Sequence, residues 1–202
     1  MNDLKFSWKR AWANLDLLAP SNLFERLVSA YDEPHRQYHT LQHLNECIAH
    51  FSGVMDLAKQ PGEVEIALWF HDAIYDLRGK TNECLSADWA TQMLNEQSAS
   101  NEVQARVQNL IMATSHNAMP SESDQQLLVD IDLAILGSPP ARFSEYDRQV
   151  KSEYSWVPGF LYRMKRKQVL KGFFSREYIY STKPFRDRLE QQARVNLRAA
   201  IG

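Results

Sequence analysis

The stretch EIALWFHDAIYD (residues 65–76) sets His71 and Asp72 side by side inside an almost continuous apolar frame. At helical period, Ala67, Leu68, Trp69, Phe70, Ala73, Ile74 and Tyr75 cover most of the circumference, which predicts a buried helix over about 63–76. An ionised aspartate in such a place is costly unless something compensates it. A divalent cation compensates it directly, and the neighbouring imidazole offers a second donor to the same ion. An HD dipeptide alone is weak evidence, since any two residues adjoin often by chance. Its apolar frame gives it weight and directs a search for further ligands.

Two other stretches answer that search. RQYHTLQHL (residues 36–44) spaces His39 and His43 four apart, on one face if the segment is helical. The pair either shares an ion, or divides ion and substrate between its members, or simply opens a helix on a partly exposed face. VDIDLAIL (residues 129–136) sets Asp130 and Asp132 among Leu127, Leu128, Ile131, Leu133 and Ile135. One acid can cap or face water; the other needs a buried partner, either a metal or a backbone amide or arginine. Arg36, directly before the histidine pair, is placed to contact a phosphate. Cys47, one turn beyond His43, is either a soft-metal ligand or a buried inert thiol. Glu83 either orients water or is a first-turn helix acid favoured by the dipole. Asp76 either supports the ligands from behind or is a plain helix-end residue. Tyr31, Tyr38 and Tyr75 either stack on a base or pack in the core. The basic run Arg163, Lys165, Arg166, Lys167 and Lys171 is either a phosphate-facing surface or a solvated helix face.

At 202 residues, with 44% hydrophobic and 24% charged side chains, the chain has the composition of one soluble globular domain. A net charge of −2 argues against nucleic acid as a partner, and no apolar run reaches membrane-spanning length. Two cysteines and no signal-type N-terminus point to a cytoplasmic protein. Helical periodicity recurs over 5–18, from Ser21 as a capping residue to Tyr31, from Thr40 to about Ala58, then over 83–97, 101–115, 125–136, 141–157, 160–174 and 184–201. Pro and Gly fall mostly between these segments, and REYIYST (176–182) reads as connection. The expectation is a single-domain, all-α, multi-helix bundle.

Together the acids and histidines fall in the order H…HD…D. With His43, His71-Asp72 and Asp132, and with DIDLAILG as a last-ligand segment, the chain resembles the HD-domain metal-dependent phosphohydrolase superfamily. YHTLQHL, WFHDAIYD, NECLSA and DIDLAILG together look like a bacterial subgroup of predicted HD phosphohydrolases of unassigned substrate. The resemblance implies an HD core over about 25–140 with a helical cover over 141–202. It implies one divalent ion (Mn, Fe, Co, Ni, Zn or Mg) held by His43, His71, Asp72 and Asp132, with Asp130 as second choice for the last position. YHTLQH is similar to the YHNxxH motif of cyclic-nucleotide phosphodiesterases, which implies that His39 is the general acid. Comparable proteins place extra histidines for a second metal or a phosphate, the role implied for His116 unless it is a surface residue. The activity implied is hydrolysis of a small phosphoester or phosphoanhydride, in particular a nucleotide, with monoesterase, diesterase and pyrophosphohydrolase chemistry left open. The alternative is a metal-stabilised module that senses a nucleotide without cleaving it.

Overall fold

The computed structural model describes residues 2–115 and 119–202, and every regular element among them is helical. The chain is all-α. Its helices are α1 (Asn2–Ala13), α2 (Leu23–Tyr31), α3 (Leu41–Ser52), α4 (Pro61–Phe70), α5 (Asn82–Glu96), α6 (Asn101–Ala113), α7 (Ser123–Asp132), α8 (Pro140–Glu153), α9 (Gly159–Phe174) and α10 (Lys183–Ile201). Short 3-10 turns follow α3 at Met55–Leu57 and α7 at Leu133–Gly137. Among the described residues, no helix is long and apolar enough to cross a membrane. The chain divides into two compact units, Met1–Ile131 and Asp132–Gly202.

In the first unit α4 is the axis. Pro61 opens it, where a missing N–H costs nothing, and every residue from Gly62 to Phe70 is buried. Helices α1, α3, α5 and α6 all pack on it. Trp69 stacks edge-on against Trp8 of α1 and tilts against Phe24 of α2, with ring centroids 5.1 and 5.7 Å apart. Two acids ride inside this apolar helix, and both are paired. Glu65 takes Ser7 Oγ at 2.6 Å and the Arg10 guanidinium from α1, while Arg10 also reaches Ser52 Oγ of α3 at 3.0 Å. Glu63 takes the Arg106 fork from α6 at 2.6 and 2.8 Å. The carboxylates thus cross-link helices that the apolar contacts bring together.

Helix α4 stops sooner than its apolar pattern predicts. It ends at Phe70, and His71 and Asp72 stand just beyond, in a turn closed by the Ala73 N–H on the Phe70 carbonyl at 2.9 Å. Tertiary partners take the backbone groups that further helix would use. Arg36 binds the carbonyls of Asp72 and Ala73, Ser86 Oγ accepts the Ile74 N–H, and Asn82 Oδ1 accepts the Asp76 N–H. At the other predicted ends, Thr40 caps α3 through Oγ1, accepting from the Gln42 N–H. Helix α2 is entered through Asn22, in the left-handed region at φ 63°, and not through Ser21. Asparagine tolerates that conformation better than most residues.

In the second unit α10 packs against α9 and the Leu133–Gly137 turn. Gly137 is required there: a Cβ would lie 2.6 Å from Leu189 Cβ and 2.8 Å from the Leu189 carbonyl oxygen. Asn196 Nδ2 donates to the Leu136 and Ser138 carbonyls, and Tyr180 Oη donates to that of Leu133. Residues 176–182 form no strand. Arg194 bonds the carbonyls of Phe174, Arg176 and Glu177, giving acceptors to the end of α9 and the segment after it.

Candidate metal centre

Helix α3 carries His43 and Cys47 on one buried face, four residues apart. The turn after α4 carries His71 and Asp72. Asp132 is the last residue of α7, whose preceding residues belong to the first unit. One ligand atom from each of His43, Cys47, His71 and Asp132 lies within 4.8 Å of all the others, a group able to hold a metal ion.

The tightest part of the group is the pair of imidazoles. His43 Nε2 and His71 Nε2 are 3.1 Å apart, and Asp72 Oδ2 lies 3.1 Å from the His71 nitrogen and 3.5 Å from that of His43. His71 Nδ1 is 2.8 Å from the Leu68 carbonyl oxygen, which can only accept, so Nδ1 carries the proton. When neutral, His71 therefore turns a bare Nε2 lone pair toward another ring nitrogen and a carboxylate oxygen. Such a convergence is repulsive unless a proton or a cation lies among the three atoms. Two ligands held about 2.0–2.3 Å from one ion stand about 3.0–3.6 Å from each other, the spacing these atoms have. The donor set fits a divalent cation.

Asp72 is the anionic centre of this arrangement. Burial would raise its carboxyl, but the His71 and His39 rings in their imidazolium form, and the hydrogen bonds that protonated His43 and His71 give it, outweigh burial and hold it well below the usual carboxylate range. Its side chain keeps 18% of its exposure, so it is less deeply placed than a helix-interior position would make it. Behind it, Tyr31 Oη accepts the Asp72 N–H at 3.4 Å and donates to the Trp69 carbonyl. Burial, with the Asp72 charge added, pushes the Tyr31 phenol well above its ordinary value.

His39 is half-buried at the edge of the group, its ring 6.0 Å from that of His43. Its imidazole stacks on Tyr75 with centroids 4.1 Å apart and meets Tyr38 edge-on at 4.8 Å. Between the two rings its orientation is restricted. Tyr38 also packs against His43, at 4.7 Å.

Arg36 departs from the expectation of a phosphate contact. Its side chain is fully buried, and it donates to the carbonyls of His39, Asp72 and Ala73 and to Glu33 Oε2. Its donors are engaged by the protein, so Arg36 clamps the His39 turn to the His71-Asp72 turn. Asp130 is wholly buried and is not in the ligand group, whereas half-buried Asp132 is. Glu83 sits half-buried in the first turn of α5, the place that suits a dipole-favoured acid. Asp76 is exposed and organises the next turn, its Oδ1 accepting the Arg78 N–H at 2.9 Å. His116 lies outside the described residues.

Arg166 and Lys167 belong to the second unit. Arg166 bonds Asp147 Oδ1 at 3.2 Å and lies over the Tyr146 ring at 4.8 Å, a packed ion pair. Burial beside it pushes the Tyr162 phenol up to about 12. Lys167 is exposed and reaches the Gly202 carbonyl at 3.1 Å. Cys47, which the sequence leaves open between ligand and inert thiol, is the member of the group outside the H…HD…D set, and its four-residue offset from His43 is the signal for it. No family model, curated protein or solved structure matches this chain.

Proposed function

We propose that the protein is a metal-dependent phosphohydrolase acting on a small phosphoester or phosphoanhydride, with nucleotides as the substrate class. The observation that carries this reading is the convergence of His43 Nε2, His71 Nε2 and Asp72 Oδ2 within 3.5 Å of one another, with no proton available from neutral His71 Nε2. His43, His71, Asp72 and Asp132 would hold the ion. When bound, such an ion activates water for attack and offsets phosphoryl charge.

The chain's own residues supply the rest. The Leu68 carbonyl holds His71 in the tautomer that presents Nε2. The Arg36 clamp keeps the histidine turn and the aspartate turn at constant separation, so the donors are arranged before substrate arrives. His39, held between Tyr75 and Tyr38, is the proton donor to the leaving oxygen. The nucleotide class rests on the YHTLQH resemblance.

The test is turnover of a generic nitrophenyl phosphodiester and a nucleotide panel by metal-stripped protein, with manganese, cobalt or zinc restored. Turnover that needs the metal and falls at least about a hundredfold in His71→Ala and Asp72→Ala is the expected result. His39→Ala should lower kcat while leaving metal uptake unchanged. Tight nucleotide binding with no turnover under any metal would overturn the enzyme reading in favour of a sensor.

A further inference from the structure

We propose that Cys47 is a direct ligand of the ion, so that the centre adds a thiolate to the imidazoles and aspartates named above and selects a thiophilic divalent ion (zinc, cobalt, nickel or ferrous iron) over magnesium and manganese. This rests on the metal-centre reading above and narrows which ion the centre takes. Cys47 is 1% exposed and projects from α3 beside His43. Its Sγ lies beside the His43 ring, 3.7 Å from Nε2 and 3.8 Å from Nδ1. It does not meet His43 alone: His71 and Asp132 also bring a ligand atom within 4.8 Å of it and of each other.

Magnesium and manganese prefer oxygen, whereas a thiolate raises affinity for softer ions. As the sulphur–metal bond forms, the Cys47 S–H bond breaks and its proton leaves to solvent, so uptake releases one proton more than a site of neutral imidazoles and carboxylates would. The second cysteine is a built-in control. Cys84 is exposed on α5 and, among the described residues, belongs to no such group.

The deciding experiment is cobalt(II) titration of the metal-stripped full-length chain, followed by absorption spectroscopy. Wild type should show both the visible d–d bands of bound cobalt and a near-ultraviolet sulphur-to-cobalt charge-transfer band. Cys47→Ser should keep the d–d bands and lose the charge-transfer band, and Cys84→Ser should keep both. Zinc-over-manganese preference, read by competition, should fall in Cys47→Ser. Wild-type d–d bands without a charge-transfer band would overturn the thiolate ligand and leave the metal centre standing. A charge-transfer band that survives in Cys47→Ser does the same. Failure of wild type to take up cobalt at all overturns the centre itself, and the thiolate with it. The wild-type and Cys84→Ser spectra decide the matter even if Cys47→Ser does not fold.

Discussion

Arg36 ties the turn that carries His39 to the turn that carries His71 and Asp72. As a clamp, its guanidinium satisfies three backbone carbonyls and Glu33 from a fully buried position, between the Tyr31 and Tyr75 rings at 5.2 and 5.4 Å. Lysine in its place has one nitrogen and cannot span those acceptors. Leaving one or two buried acceptors unpaired costs about 1–3 kcal/mol each, so Arg36→Lys should lose roughly 2–4 kcal/mol in urea unfolding of metal-free protein. A phosphate-binding arginine would instead leave stability within about 0.5 kcal/mol and raise KM. That second pattern would sink the clamp. The histidines and aspartates were legible in the sequence because each is a polar group in an apolar frame at helical spacing. The role of Arg36 was not, because adjacency to a ligand says nothing of which carbonyls a long side chain will find. Cys47 was legible only as a choice between filler and ligand, since a thiol one turn from a histidine serves both.

At the level of the elements, the buried acids of α4 hold the helix layer in register. Glu65 is wholly buried and accepts from both Ser7 and Arg10, while Ser7 in turn accepts from Trp69 Nε1 at 3.0 Å. Removing the carboxylate strands a guanidinium that is itself only 17% exposed. Glu65→Ala should therefore cost about 3–5 kcal/mol, seen as a lower urea midpoint at unchanged slope. The double variant Arg10→Met, Glu65→Leu should recover most of that loss, because two apolar side chains replace a paired charge at little net cost. If the double variant is no more stable than the single one, the pairing is not what Glu65 contributes. The helices themselves could be read from periodicity, and their order follows the pattern closely. Their ends could not. The end of α4 is set by Arg36, Ser86 and Asn82 taking backbone groups from beyond it, and the start of α2 by the left-handed Asn22. Capping by distant side chains leaves no local trace, which is why a continuous apolar run hid the turn that presents His71 and Asp72.

For the molecule as a whole, a net charge of −2 and two units make metal linkage the most informative thermodynamic measurement. An ion that binds the folded chain and not the unfolded one stabilises it by RT ln(1 + [L]/Kd), about 2.7 kcal/mol at a hundredfold excess over Kd. For a chain of this length each kcal/mol moves the midpoint by about 2–4 °C, so zinc or cobalt should raise Tm by roughly 5–10 °C over chelator-treated protein. The chelator should reverse the gain. A chain with more than one unit need not melt in one step. If two transitions are resolved, the one that moves with metal should be that of the unit holding α3 and α4, reported by the cluster of Trp8, Trp12 and Trp69. His71→Ala and Asp132→Ala should abolish the shift, since each removes a donor from the group. Arg166→Ala, whose partners Asp147 and Tyr146 lie in the second unit, should keep the full metal-induced rise even if its baseline Tm falls. A melting profile indifferent to zinc, cobalt and manganese alike would mean that the two imidazoles share a proton with Asp72 and that no cation belongs there.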